Sequence, residues 1–300
     1  MKNIVIFGYG FQGIQAHKWI GKQSDYRFCG FADNSEYKKG YYVGGKKIVD
    51  IDELSYINQE LAISVIIAAD RWWEIADQCA ERHILVEGVF SDGKLNSSEH
   101  MDFDKLDLTK EIKLYAGDIT DEVHYNEKNL YGLSINKSDK RHIFHNIMDC
   151  YPLMDNCIYR YEAEEVLEYV PQEKQKNTLN EICRILKKGC CCRITIPDFN
   201  SPYLMSRTMT DSRGQLIFDP GAGGRYGKNG IEGGAVYFPT YENFKEILEQ
   251  TNFTSFDWLC YHTKDNILHK KYIDMSNGYN KRVINDSDED VYCIVVDCYK

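Results

Sequence analysis

The apolar run Ile4-Val5-Ile6-Phe7 breaks at Gly8-Tyr9-Gly10-Phe11-Gln12-Gly13, and Ile14, Ala16, Trp19 and Ile20 then recur at roughly helical spacing. An apolar run, a glycine turn and a periodic segment in that order predict strand, tight turn and helix. The G-x-G-x-x-G spacing has a mechanical reading. Gly8 permits the turn, Gly10 lets a phosphate approach the backbone, and Gly13 lets the helix pack close to the strand. A second run, Tyr26 to Phe31, leads to Asp33, placed where a carboxylate at the end of a strand accepts hydrogen bonds from a ribose. The same residues also suit a purely structural turn, with Asp33 capping it or facing solvent.

The alternation continues through a short strand at Lys47-Ile48-Val49, a helix from Ile51 to Tyr56, a buried-type strand Ser64 to Ala69, a helix from Arg71 to Arg82, and a strand near Leu85 to Val89. The sequence turns polar over 93–110, which reads as a linker between a domain at 1–92 and a second at 111–300. In the second domain, strands are expected at Lys113 to Ala116, Leu130 to Leu133, His142 to His145 and Cys157 to Tyr161, with a helix starting near Ala163. A further helix around Leu179 to Leu186 is expected to stop at Lys187-Lys188-Gly189, ahead of a buried strand from Cys190 to Ile196. A helix over 242–251 and a last strand from Tyr292 to Asp297 follow. The expected fold class is α/β: two Rossmann-like domains, each a mainly parallel sheet flanked by helices.

Charge and composition exclude several functions. With 46 acidic against 36 basic residues and a net charge of −10, the chain offers phosphate polymers nothing general to hold, so nucleic acid is not an expected partner. No apolar run approaches the roughly 18 residues needed to span a bilayer, and a cytoplasmic protein is expected. The 11 cysteines include no Cys-x-x-Cys pair, so reduced thiols and no metal are expected. The acidic run Asp286-Ser-Asp288-Glu289-Asp290 lacks the spacing and the glycine of a calcium loop and reads as a solvated turn. The chain is compatible with a homo-oligomer.

Two resemblances add to this reading. The stretch from Ile4 to Val89, with Gly30-Phe31-Ala32-Asp33-Asn34, Lys39-Gly40, Val43-Gly44-Gly45 and Ile66-Ile67-Ala68-Ala69, resembles the N-terminal domain of bacterial sugar acyltransferases and the Rossmann-like domain appended to sugar C-methyltransferases. That resemblance implies a nucleotide or nucleotide-sugar ligand held by Gly8, Gly10, Phe11, Gln12, Gly13 and Asp33. The second half resembles class I S-adenosylmethionine-dependent methyltransferases of a bacterial type associated with surface-polysaccharide genes. The motifs that carry it are Glu165-Val-Leu-Glu168-Tyr169-Val-Pro171, Glu181-Ile-Cys-Arg184-Ile-Leu-Lys187-Lys188-Gly189, Ile196-Pro197-Asp198 and Glu232 to Tyr241.

This second resemblance implies a cofactor site at Ala116, Gly117, Asp118, Asn136, Asp149 and Tyr161, with Asp149 on the adenine amine. Acceptor-side candidates are Glu162, Asp198, Tyr237 and His262 for catalysis, with Arg225 and Tyr237 for the substrate. The sequence departs from the family pattern in three places. The first loop, Ala116 to Thr120, has one glycine, Asn136 stands where an acid usually ends the second strand, and the family's Glu-His is Glu168-Tyr169. Two functional readings stay open. One is a methyltransferase acting on a sugar, nucleotide-sugar or related small molecule in surface-polysaccharide biosynthesis. The other is an inactive methyltransferase-like scaffold that binds a nucleotide-sugar through its first domain. An oxidoreductase is disfavoured, because the first module is short.

Overall fold

The computed structural model describes every residue except 228, 229, 281 and 284–290. The acidic run 286–290 and Lys228 therefore lie outside the described residues. The chain divides into two compact units, Met1–His100 and Met101–Lys300.

The main sheet of the first unit comprises β1 (Lys2–Phe7), β2 (Tyr26–Ala32), β3 (Ile63–Ile67), β4 (Leu85–Ser91) and β5 (Lys94–Asn96), in the order β2-β1-β3-β4-β5, and Tyr42–Val43 and Lys46–Lys47 form a separate antiparallel pair. In the main sheet all pairings are parallel except β4 with β5. Alternate residues along β1 point to opposite faces, and both sets are buried. Ile4 and Ile6 pack with Ala16 and Ile20 of α1 (Phe11–Ile20), whereas Val5 and Phe7 pack with Leu54 of α2 (Ile51–Glu60) and with Ala76 and Cys79 of α3 (Trp72–Glu81). A sheet covered on both faces explains why these strands read as unbroken apolar runs. Asp50 caps α2 by accepting from the backbone of Asp52 and Glu53.

The second unit has an eight-stranded sheet in the order β8-β7-β6-β9-β10-β13-β11-β12. The strands are β6 (Lys113–Ala116), β7 (Leu130–Ser134), β8 (His142–Phe144), β9 (Ile158–Glu164), β10 (Leu186–Pro197), β11 (Ser255–His262), β12 (Leu268–Lys270) and β13 (Cys293–Tyr299). Strands β8, β7, β6, β9 and β10 are parallel neighbours, β13 is antiparallel to both β10 and β11, and β12 is antiparallel to β11. Consequently β11 runs in the same direction as β10, and both end at the same edge. The order reverses between β6 and β9, which creates a crevice at the carboxyl ends of the strands. This is a Rossmann-like α/β arrangement.

Helices α5 (Gln172–Ile185) and α7 (Tyr241–Leu248) supply Leu179, Ile182, Phe244 and Leu248 to the main core. The opposite face is held differently. Residues 273–280 run across it, with Arg193 donating to the carbonyls of Asp274 and Gly278, and Asn280 to Thr195 Oγ1 at 2.6 Å. Two local expectations are corrected. No helix begins near Ala163: β9 runs on to Glu164, because Arg160, Glu162 and their neighbours pair on both sides with β6 and β10. Nor does Gly189 end a helix. The helix stops at Ile185, Leu186 already pairs with Ile158, and Gly189, at φ +74°, lies inside the strand. Within the stretch expected as a linker, Lys94–Asn96 join the first sheet, and Phe103 and Leu106 are buried in the second core. None of the helices among the described residues is long and apolar enough to cross a membrane.

Candidate functional site

In the first unit the glycine turn opens into a cleft of about 400 Å³ lined by Gly8, Gly10, Phe11, Gln12, Asp33 and Lys38, with the Ala68–Asp70 turn opposite. Gly8 has φ +107°, and a Cβ there would lie 2.5 Å from the Ala68 carbonyl oxygen. Gly13 does not line the cleft. A Cβ on it would fall 1.9 Å from the Gly8 carbonyl oxygen, so its role is close packing of α1 against the turn. Gly10 differs from both, since a Cβ there meets nothing within 4 Å. Asp33 is buried and already engaged: Tyr9 N–H donates to Oδ2 at 2.8 Å, Ser35 N–H to Oδ1 at 2.9 Å, and Lys38 Nζ stands 3.0 Å from Oδ2. The carboxylate thus pins the turn while facing the cleft. Lys38, absent from the sequence-based set, brings a cation into it.

In the second unit a cleft of about 400 Å³ lies at the carboxyl ends of β6, β7, β8 and β9, at the point where strand order reverses. Gly117 and Asp118 form one wall and Leu133 to Asn136 the next, followed by His145 to Met148 and by Val166, Tyr169 and Val170. Volume and apolar lining suit a small organic ligand. Two polar atoms at the cleft lack partners: Asp118 Oδ1 and His145 Nε2 are both buried with no hydrogen bond. Such groups cost about 1–3 kcal/mol each when left unpaired. Burial lowers the basicity of His145, keeping its ring neutral near pH 7. Beneath Tyr169, the Glu168 carboxyl is buried and pushed up to about 8 by desolvation.

Gly117, Asp118 and Asn136 are therefore brought together. The other expected cofactor residues are not at the cleft surface. Ala116 is buried at the end of β6, Tyr161 is fully buried with its hydroxyl 2.7 Å from that of Tyr151, and Asp149 is exposed just beyond the lining segment. The residues that sequence reasoning missed, His145 to Met148 and Val166, directly follow strands β8 and β9. Reading the residues next after each parallel strand would have found them.

The acceptor-side candidates separate into three places. Asp198, after β10, and His262, at the end of β11, meet at one carboxyl edge of the sheet: Asp198 Oδ2 accepts from His262 N–H and lies 3.0 Å from its Nδ1, and both residues are buried. Tyr237 is buried, donates its hydroxyl to Asn243 Oδ1 at 2.8 Å, and so braces the capped start of α7. Arg225 is exposed and paired with Glu232 across a short hairpin. Glu162 belongs to a buried ladder of charge. Lys113 and Arg160 both contact Glu127, Arg160 Nε donates to Glu162 Oε1 at 2.9 Å, and His124 bridges Glu162 and Asp121. Burial alone would lower the pKa of His124, but hydrogen bonds to Glu162 and Asp121 outweigh it and hold it up at about 9.

No protein-family model and no curated protein matches the chain. Among solved structures it is similar to a SAM-dependent methyltransferase from Archaeoglobus fulgidus, at 14% identity over 63% of this chain and 86% of that one, with a TM-score of 0.38. It is also similar to phosphoethanolamine N-methyltransferase 2 of Haemonchus contortus, at 10% identity over 86% of this chain and 81% of that one, with a TM-score of 0.31. Similarity to RSP, a Rex-family repressor, covers 33% of this chain and spans half of that one, at 18% identity and a TM-score of 0.25. At these scores nothing about function rests on the likeness, and the site's own geometry has to carry the argument.

Proposed function

We propose that the second unit is an S-adenosylmethionine-dependent methyltransferase. The observation that carries the reading is the cleft at the reversal of strand order, with an apolar lining and two buried, unpaired polar atoms, Asp118 Oδ1 and His145 Nε2. An adenosine-containing ligand with an amino-acid tail fits this donor set. Ile135, Ile147 and Met148 would hold its base, and Asp118 would accept from its hydroxyl or ammonium groups. When bound, the cofactor supplies a methylsulfonium, an electrophile that needs mainly alignment with an acceptor. The chain's own contribution is to hold that alignment and exclude water. Where the acceptor must lose a proton, His262 is the base: Asp198 takes its Nδ1 side, which leaves Nε2 for the proton.

The acceptor in this reading is a sugar, nucleotide-sugar or related small molecule of surface-polysaccharide biosynthesis, and the cleft around Gly10, Gln12, Asp33 and Lys38 is a separate nucleotide or nucleotide-sugar site of the first unit. Support comes from the open backbone at Gly10, where a phosphate meets no side chain. Isothermal titration with S-adenosylmethionine and S-adenosylhomocysteine tests the core claim, with micromolar binding expected. No heat at millimolar ligand would overturn it and leave the scaffold reading, in which the first cleft is the functional one.

A further inference from the structure

The first loop of the second unit, Gly117 to Asp121, contains a single glycine. Gly117 takes φ +113° and donates its N–H to the Leu133 carbonyl, which turns the chain off β6, but nothing in the loop's own sequence dictates the course of the next residues. A side chain from two strands away does so. Ile119 N–H donates to Nε2 of His142 at 2.9 Å, and His142, on β8, is 2% exposed. The ring crosses the intervening strand β7 over Gly132, where a Cβ would lie 2.6 Å from His142 Cδ2 and 2.8 Å from the Gly117 carbonyl oxygen. On its far side, Nδ1 is 2.8 Å from Asp139 Oδ1, which also accepts from the backbone of Arg141 and His142.

A backbone N–H can only donate, so Nε2 is the acceptor and the ring proton sits on Nδ1, donated to Asp139. The acceptor is therefore oriented at both ends. We infer that His142 is a positioning residue for the ligand loop: by fixing Ile119 it holds Gly117 and Asp118 in the wall of the cleft. This inference rests on the reading of that cleft as the S-adenosylmethionine site. The loop's far end is tied separately, through Asp121 to His124.

The test compares His142→Leu with His142→Gln in the full chain, each titrated with S-adenosylhomocysteine at a temperature where circular dichroism shows it folded. Leucine removes the acceptor, and affinity is expected to fall about tenfold or more. Glutamine presents an amide oxygen at similar reach and is expected to stay within about threefold of wild type. Amide exchange at Ile119, read relative to the core-strand amides of the same variant, gives a readout that stability alone does not move: protected in wild type and the glutamine variant, fast in the leucine variant. Leucine binding as well as wild type, or folded glutamine binding as poorly as leucine, would overturn the inference. Should the leucine variant fail to fold, unprotected Ile119 in wild type would overturn it equally. Wild type binding no ligand would instead sink the reading of the cleft, and the positioning role with it.

Discussion

The two units each turn a strand into a loop that lines a cleft, and they reach that turn by different means. In the first, bare backbone decides: Gly8 and Gly13 stand where no side chain fits, and the loop is shaped by what its residues lack. In the second, one glycine starts the turn and buried side chains finish it, His142 through Ile119 and His124 through Asp121. The contrast teaches that a glycine count measures only one way of bending a backbone. A loop poor in glycine is as well determined if neighbouring strands lend it polar partners.

The largest expected effect sharpens the first half of that contrast. Gly13→Ala puts a Cβ 1.9 Å from the Gly8 carbonyl oxygen, between backbone segments that have no room to give. It should cost about 3 kcal/mol or more, read as a fall in the urea midpoint of the first unit. An unchanged midpoint would mean that the turn relaxes freely and that the contrast is overstated.

The second unit should instead respond to pH. His124 is raised from 6.5 to about 9 in the folded chain, so its stabilising contribution is full below pH 6.5 and is lost as pH rises through about 9. The loss should be on the order of 2 kcal/mol across that window, and His124→Gln should flatten the slope measured by denaturant titration at several pH values. A slope unaltered by the substitution would remove His124 from the account.

Gly132→Ala attacks the seat of His142 rather than the loop itself. A cost of about 1–2 kcal/mol is expected, together with weakened S-adenosylhomocysteine binding. Stability lost with affinity intact would separate the ring from the cleft. The smallest stability effect belongs to Gly10→Val, whose new Cβ meets nothing within 4 Å. Thermal unfolding should move by less than about 0.5 kcal/mol while nucleotide or nucleotide-sugar thermal shifts disappear. Retained shifts would make the first turn purely structural.

Much of the fold was legible because period and punctuation are local. The runs at Ile4 to Phe7 and Ser64 to Ala69 announce strands buried on both faces, and the glycine spacing announces the first turn. The ladder Lys113, Glu127, Arg160, Glu162, His124 was not legible. Glu162 reads alone as an acceptor-side candidate and the others as surface charges; the pairing of β6 with β9 sets Lys113 beside Arg160, and the segment 124–127 brings His124 and Glu127 onto them. The pairing of Asp198 with His262 across 64 residues was hidden in the same way.

By itself the sequence determined most of the parallel strands, where the first turn must be glycine, and that two α/β units follow one another, since these depend on contacts within a few residues; β11 and β12 it left unannounced. Tertiary structure alone decided which polar side chains are buried together, which carboxyl ends share a cleft, and which histidine accepts a loop's N–H. Those depend on strand order, and strand order is set by how the apolar faces pack rather than by any residue's neighbours along the chain.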